Sequence, residues 1–180
     1  MKISVTDAWH DLQRITGDWG YHPYNSHAND GVKEYLTKRI HEILRDNKIG
    51  AEVGGGEWEG NGIKVQVVDD IVSNITFAAE SKGVTVYYEG TNLMVIVKGT
   101  ESTPALTTSD KGKERLGAVL VNAHYDSVST GYGATDDGTA VVTLLQLISY
   151  FTNPNTPPEK NPRRDIIFLF NNGEEDYLVS

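Results

Sequence analysis

At 180 residues, with 38% hydrophobic and 23% charged content, the chain is long enough for one domain with a real core. Its formal net charge of −9 and pI near 4.9 argue against nucleic acid, because phosphate binding needs clustered Lys and Arg. Cysteine is absent, which excludes disulfides and thiolate metal sites, so any metal must be held by His, Asp or Glu.

The segment from Thr6 to Ile15 has helical spacing at Ala8, Trp9, Leu12 and Ile15, with Thr6 as N-cap and Trp9 packing the helix. Gly17 to Asn29 is rich in Gly, Pro, His and Asn and reads as a loop. A second helix is predicted from about Asp30 to Asp46, with Val32, Leu36, Ile40, Ile43 and Leu44 on one face. These two helices form a cap over residues 1–50, and residues 51–180 form the sheet.

Gly50 to Gly62 reads as a Gly-rich loop. Short β-rich runs follow at Lys64–Val68, Val72–Phe77, Val84–Tyr88 and Asn92–Lys98, then a polar loop from Thr100 to Lys113. Asp69-Asp70 reads as a turn between two of the strands. Gly117–Asn122 and Asp165–Phe170 are continuous apolar runs that suit strands buried on both faces. Between them, Gly138–Phe151 is a well-buried helix, giving a βαβ unit and an α/β fold. No stretch approaches the ~20 apolar residues that span a bilayer, and no signal-peptide core opens the chain.

In such sheets ligands bind at the carboxyl ends of the strands. Both ends carry dense polar clusters. His124-Tyr125-Asp126 follows the first apolar run and leads to Asp136-Asp137-Gly138, and Gly173-Glu174-Glu175 follows the second. Residues two apart on extended backbone point to one side. Asp126 can therefore hold one ring nitrogen of His124 while the other binds metal. The bland alternative is a surface histidine beside a carboxylate. Asp136, just before a helix, is either an N-cap or a metal ligand. Adjacent carboxylates at a sheet end repel unless a cation or shared proton compensates. Glu175 as ligand and Glu174 as proton acceptor explains the pair, against the alternative of a solvated acidic turn. Together the three clusters offer the ligand chemistry of a hydrolytic zinc pair.

The stretch AHYDSVSTGYGATDDGTAVVTLLQLISYF, followed by NNGEED, resembles the zinc aminopeptidase-like metallopeptidases with two metals. YHPYNS at Tyr21–Ser26 and YEGTNLMVIVKGTE at Tyr88–Glu101 resemble its fungal vacuolar membrane protease branch. The resemblance implies a three-layer zinc-peptidase fold of the phosphorylase/hydrolase-like type. Its central sheet is mixed and, in this chain, incomplete at the C-terminus. It implies that residues 1–180 are the N-terminal part of a single metallopeptidase domain holding the first half of the active site. His124 would be a terminal ligand of one zinc, oriented by Asp126. Asp136 would bridge both zincs and join Asp137 by a cis peptide bond. Glu174 would be the general base and Glu175 a ligand of the second zinc. The substrate would be a peptide, and the parent chain would sit in the vacuolar membrane with its peptidase domain facing the lumen.

The family's two remaining ligands, an acidic residue and a histidine, come after the Glu pair, so each zinc is expected to have two of its three protein ligands here. The 180 residues alone are expected to bind zinc weakly and to be inactive. His10, His22, His27 and His41 are read as structural parts of the cap or its loop. Three other readings compete: a related zinc cyclase, a non-catalytic peptidase-like binding module, and a calcium surface at Asp69-Asp70 or Asp136-Asp137. The last lacks EF-hand spacing. Asn74-Ile75-Thr76 is an N-glycosylation sequon, and Tyr125 and Tyr132 are expected at the cleft rim.

Overall fold

The computed structural model describes residues 3–50, 55–69, 74–79, 83–101, 117–157 and 161–176. Helix α1 spans Val5–Gln13, and its N-cap is Ser4 rather than Thr6: the Ser4 Oγ accepts the Asp7 backbone N–H at 3.2 Å. The Ser4 N–H in turn donates to the Gln146 side chain at 2.9 Å, which fixes where the helix begins. A wide turn of π type, Arg14–Asp18, extends it into the segment read as loop. Ala8 and Leu12 pack on the core and Ile15 is fully buried, but Trp9 is 61% exposed. Position 9 falls at the edge of the stripe that 8, 12 and 15 define, so Trp9 does not pack the helix as expected.

Helix α2 spans His27–Asp46, three residues longer at its start than the apolar pattern indicates. Ser26 sets the start by accepting the Asn29 N–H at 3.1 Å. Its expected stripe of Val32, Leu36, Ile40, Ile43 and Leu44 is buried. Asp11, 0% exposed, fixes α1 to α2: its Oδ1 accepts from the Tyr35 hydroxyl at 2.6 Å and from Arg39 Nε at 2.9 Å. Those bonds and that charge offset the cost of burying the carboxylate.

Seven strands are described: β1 (Glu57–Gly60), β2 (Ile63–Asp69), β3 (Ile75–Ala79), β4 (Val84–Tyr88), β5 (Leu93–Val97), β6 (Val119–His124) and β7 (Ile166–Asn171). Strand β1 lies within the segment read as loop. Trp58 is its one inward apolar residue, so it has no alternation to detect. Val72 and the segment 102–116 lie outside the described residues, as does Asp70. Asp69 closes β2 and pairs with Lys33 at 2.6 Å.

The main sheet has the order β1-β2-β5-β7-β6, and β3 and β4 form a separate antiparallel hairpin. Helix α3 (Thr139–Phe151) is the crossover between β6 and β7, the parallel pair; the other neighbours are antiparallel. Val95, Phe168 and Val121 lie opposite one another in register, and this row faces the helices in one continuous core. On the other face Met94, Ile96, Ile167 and Leu169 are half-buried.

The burial expected for the two apolar runs holds at the centre and fails at the edge. Strand β7 lies between β5 and β6, and its Phe168 and Phe170 are fully buried. Strand β6 is the sheet's last strand, leaving Val119 48% and Leu120 57% exposed. Phe168→Ala is expected to cost about 3–5 kcal/mol of unfolding free energy. Leu120→Ala should stay within about 0.5 kcal/mol. Urea denaturation compares them, and equal losses would contradict this account of the core.

Candidate metal centre

Because β6 and β7 run parallel, their carboxyl ends finish side by side, with His124 opposite Asn171. The Tyr125 N–H donates to the Asn171 carbonyl at 2.9 Å, carrying the ladder one residue further. This brings the chain after β6 against the turn after β7. Asp126 lies at the junction, 1% exposed. Its carboxylate accepts the backbone N–H of Glu174 at 3.3 Å and of Glu175 at 3.0 Å. The same side chain faces the imidazole, with His124 Nδ1 3.5 Å from its Oδ1 and 3.1 Å from the Asp126 carbonyl. One buried carboxylate thus fixes the ring of His124 and the backbone of the Glu pair.

The other ring nitrogen points the opposite way. His124 Nε2 is 3.1 Å from Asp136 Oδ1 and 3.9 Å from Glu174 Oε2. One ligand atom each from His124, Asp136 and Glu175 lie within 4.8 Å of one another. Of the five side chains the sequence points to, these three converge, Glu174 stands beside them, and Asp126 lies behind.

Electrostatics favours a cation here. Burial pushes the Glu175 carboxyl up, and the neighbouring charges of Asp136, Glu174 and Asp126 push it further, with His124 opposing. Burial lowers the His124 imidazolium, but the carboxylates of Asp126 and Asp136 outweigh it and raise it to about 9. Burial would raise Asp126, yet the His124 ring and the backbone N–H groups of Glu175 and Gly173 hold it low. The interior carboxylate therefore stays charged, while the outer ones repel one another around an imidazole nitrogen. One His and two carboxylates at this spacing fit a zinc-type site.

Local backbone delivers Asp136. The segment Ala134–Gly138 is a turn of π type in which Asp136 and Asp137 leave helical angles, and the bond between them is cis. Gly133 has φ +64°, and a Cβ there would come within 3.0 Å of the Ser127 Cβ, so the approach requires glycine. Asp137, read from sequence as part of the helix entrance, has its carboxyl pushed up by burial, with His124 opposing.

Several neighbours escaped the sequence reading. His22, taken as structural beside Pro23, is 1% exposed and lies directly under the site: its N–H donates to Ser127 Oγ at 3.0 Å. Asn172, two residues before Glu174, is buried and exchanges two side-chain hydrogen bonds with Asn29 of α2. The signal available was adjacency: Ser127 and Asn172 lie next to the segments that carry the candidate ligands. His10 and His27 are exposed, and His41 lies beside the Trp58 ring at 5.0 Å. Tyr125 is 1% exposed, with its hydroxyl donating to the Thr91 carbonyl at 2.8 Å, so it does not reach the rim. Tyr132 is exposed and stacks on Tyr21 with ring centroids 4.7 Å apart. Asn74 is exposed, and its Oδ1 accepts the Gly90 N–H at 2.8 Å.

Asp126→Ala removes the acceptor from two half-buried backbone donors and frees the His124 ring. It should weaken cobalt or zinc binding by about 10–100-fold and cost about 1–3 kcal/mol of stability. Metal titration with denaturant unfolding measures both, and a variant that keeps wild-type affinity would contradict the bridging role.

Comparison with known proteins agrees with this chemistry. The model described as Peptidase family M28 matches residues 106–180. A vacuolar membrane protease of Leptosphaeria maculans is 49% identical over 179 residues, which is 99% of this chain and 20% of that protein. The chain thus spans about a fifth of the length of such relatives. Among solved structures, the Legionella pneumophila LapA aminopeptidase matches with a TM-score of 0.58 at 14% identity, over 96% of this chain and 36% of that one. Porphyromonas gingivalis glutaminyl cyclase gives 0.55 at 18% identity, over 96% and 46%. At those identities the likeness is one of fold. The two findings agree in direction: the chain is similar to Peptidase family M28 over residues 106–180, where the candidate site lies, and to the fungal vacuolar membrane proteases over nearly its whole length.

Proposed function

We propose that these 180 residues are the N-terminal part of one metallopeptidase domain. In this reading the whole protein hydrolyses peptide bonds as an aminopeptidase-like exopeptidase, at the vacuolar membrane and facing the lumen. The observation that carries it is the convergence of His124, Asp136 and Glu175 within 4.8 Å, with Glu174 alongside. His124, Asp136 and Glu175 would hold the two zinc ions between them, with Asp136, whose side chain is 80% exposed, as the ligand they would have in common. Zinc bound there would polarise the scissile carbonyl and make water a stronger acid. Glu174 takes the proton from the attacking water and returns it to the leaving amine. Asp126 holds the ring tautomer and the Glu turn in place while this proton moves.

The same ligand inventory limits the isolated chain. Three ligand side chains shared between two ions leave each short of the protein donors of a catalytic zinc site. The 180 residues alone are expected to bind zinc weakly and to leave peptides intact. The exposed edge of β6 and the half-buried sheet face support a larger parent domain, since both would be covered by further strands and helices. The binding-module reading stays secondary because the five residues of the set that fall within this chain, His124, Asp126, Asp136, Glu174 and Glu175, are all present.

The test separates binding from proton transfer. In the full-length protein His124→Ala and Asp136→Ala should strip zinc and activity together. Glu174→Gln should retain zinc and lose at least about a hundredfold in turnover of an aminoacyl amide. A Glu174→Gln protein with wild-type turnover, or an active His124→Ala protein, would overturn this reading.

A further inference from the structure

The two turns that carry the candidate ligands are bonded to residues near the start of the chain, outside the 106–180 region that the family model matches. Asn29, in the first turn of α2, is 2% exposed, and Asn172, just after β7, is 5% exposed. Their side chains form a reciprocal amide pair: Asn29 Nδ2 donates to Asn172 Oδ1 at 2.9 Å, and Asn172 Nδ2 donates to Asn29 Oδ1 at 2.9 Å. Each amide also uses its second hydrogen. Asn29 Nδ2 donates to the His22 carbonyl at 3.3 Å, and Asn172 Nδ2 donates to Thr91 Oγ1 at 2.6 Å.

That His22 carbonyl also accepts the Ser127 N–H at 3.2 Å, while the His22 N–H donates to Ser127 Oγ at 3.0 Å. Ser127 follows Asp126 directly. The Asn172 N–H donates to Asn92 Oδ1 at 2.9 Å, next to the strand β5 that flanks β7. Asn29 therefore touches both ligand-bearing turns at once, one through His22 and Ser127 and the other through Asn172. An amide offers two donors and an acceptor in one plane, which carboxylate, hydroxyl or aliphatic side chains do not reproduce. Fully satisfied buried networks of this kind fix a unique geometry.

We propose that the Asn29–Asn172 amide pair is a positioning device. It sets the Glu174-Glu175 turn against His124 and Asp126, so α2 fixes the spacing of the candidate metal ligands. This rests on the reading of His124, Asp136 and Glu175 as ligands. Neither asparagine is among the three residues whose ligand atoms converge.

The test uses the 180-residue chain, with Asn47 as control. Asn47 is a second buried asparagine, at the far end of α2, whose Nδ2 donates to the Ser149 carbonyl at 3.0 Å and to Thr152 Oγ1 at 2.7 Å. Cobalt(II) affinity is titrated by visible absorption for wild type, Asn29→Ala, Asn29→Asp and Asn47→Ala. Amide hydrogen exchange at Glu174 and Glu175 is followed without metal. Asn29→Ala is expected to weaken cobalt binding at least about tenfold and to speed exchange at both glutamates. Asn29→Asp, of equal size but without the donor, should do the same if Asn29→Ala does not fold. Asn47→Ala should change neither readout even where it lowers the melting temperature. Unchanged affinity and exchange in the Asn29 variants, or equal effects from Asn47→Ala, would overturn the positioning role alone. A wild-type chain that binds no cobalt at millimolar concentration would overturn the ligand reading beneath it, and the proposal with it.

Discussion

The carboxylate of Asp126 is the constraint on which the site depends. It is buried, charged and fully used: the imidazole of His124 faces it on one side, and the backbone N–H groups of Glu174 and Glu175 on another. A buried carboxylate without such partners would be costly enough to take up a proton. Here the partners belong to two segments almost fifty residues apart in sequence, joined because β6 and β7 are parallel neighbours. Helix α3 makes that pairing possible, since parallel strands need a crossover. The fold thus serves the site through one strand register and one carboxylate.

Around that junction the molecule is layered by distance from the chemistry. His124, Asp136 and Glu175 converge outward, and their repulsions and the raised imidazolium mark a place where positive charge is favourable. Behind them, Asp126 ties the end of β6 to the Glu174-Glu175 turn. Further back, His22, Asn29, Ser127 and Asn172 join the N-terminal helices to both turns. The N-terminal segment is therefore more than a cap over the sheet. Its polar residues are bonded to the turns that carry the candidate ligands, and the ion pair of Asp11 with Arg39 locks α2, the helix that carries Asn29.

Much of this was legible in the sequence where the signal was local. The apolar stripe of α2, the run of β7 and the buried α3 follow from periodicity, and the ligand candidates follow from their places at strand ends. What was missed has physical reasons. Strand β1 offers one inward residue, so it has no period to read. Trp9 and Leu120 are large and apolar yet exposed, because one sits at the edge of a stripe and the other on an edge strand; hydrophobicity alone does not report position in a sheet. The double duty of Asp126 and the Asn29–Asn172 pair depend on contacts between distant segments, which no spacing rule encodes.

The most direct measurement is anomalous diffraction at the zinc edge from crystals of this chain grown with zinc. The expected result is density bonded to His124 Nε2 and to carboxylate oxygens of Asp136 and Glu175, with Asp126 still holding the Glu174 and Glu175 N–H groups. Zinc bound elsewhere, for instance at His27 or His41, with His124 and Asp136 free, would contradict the account.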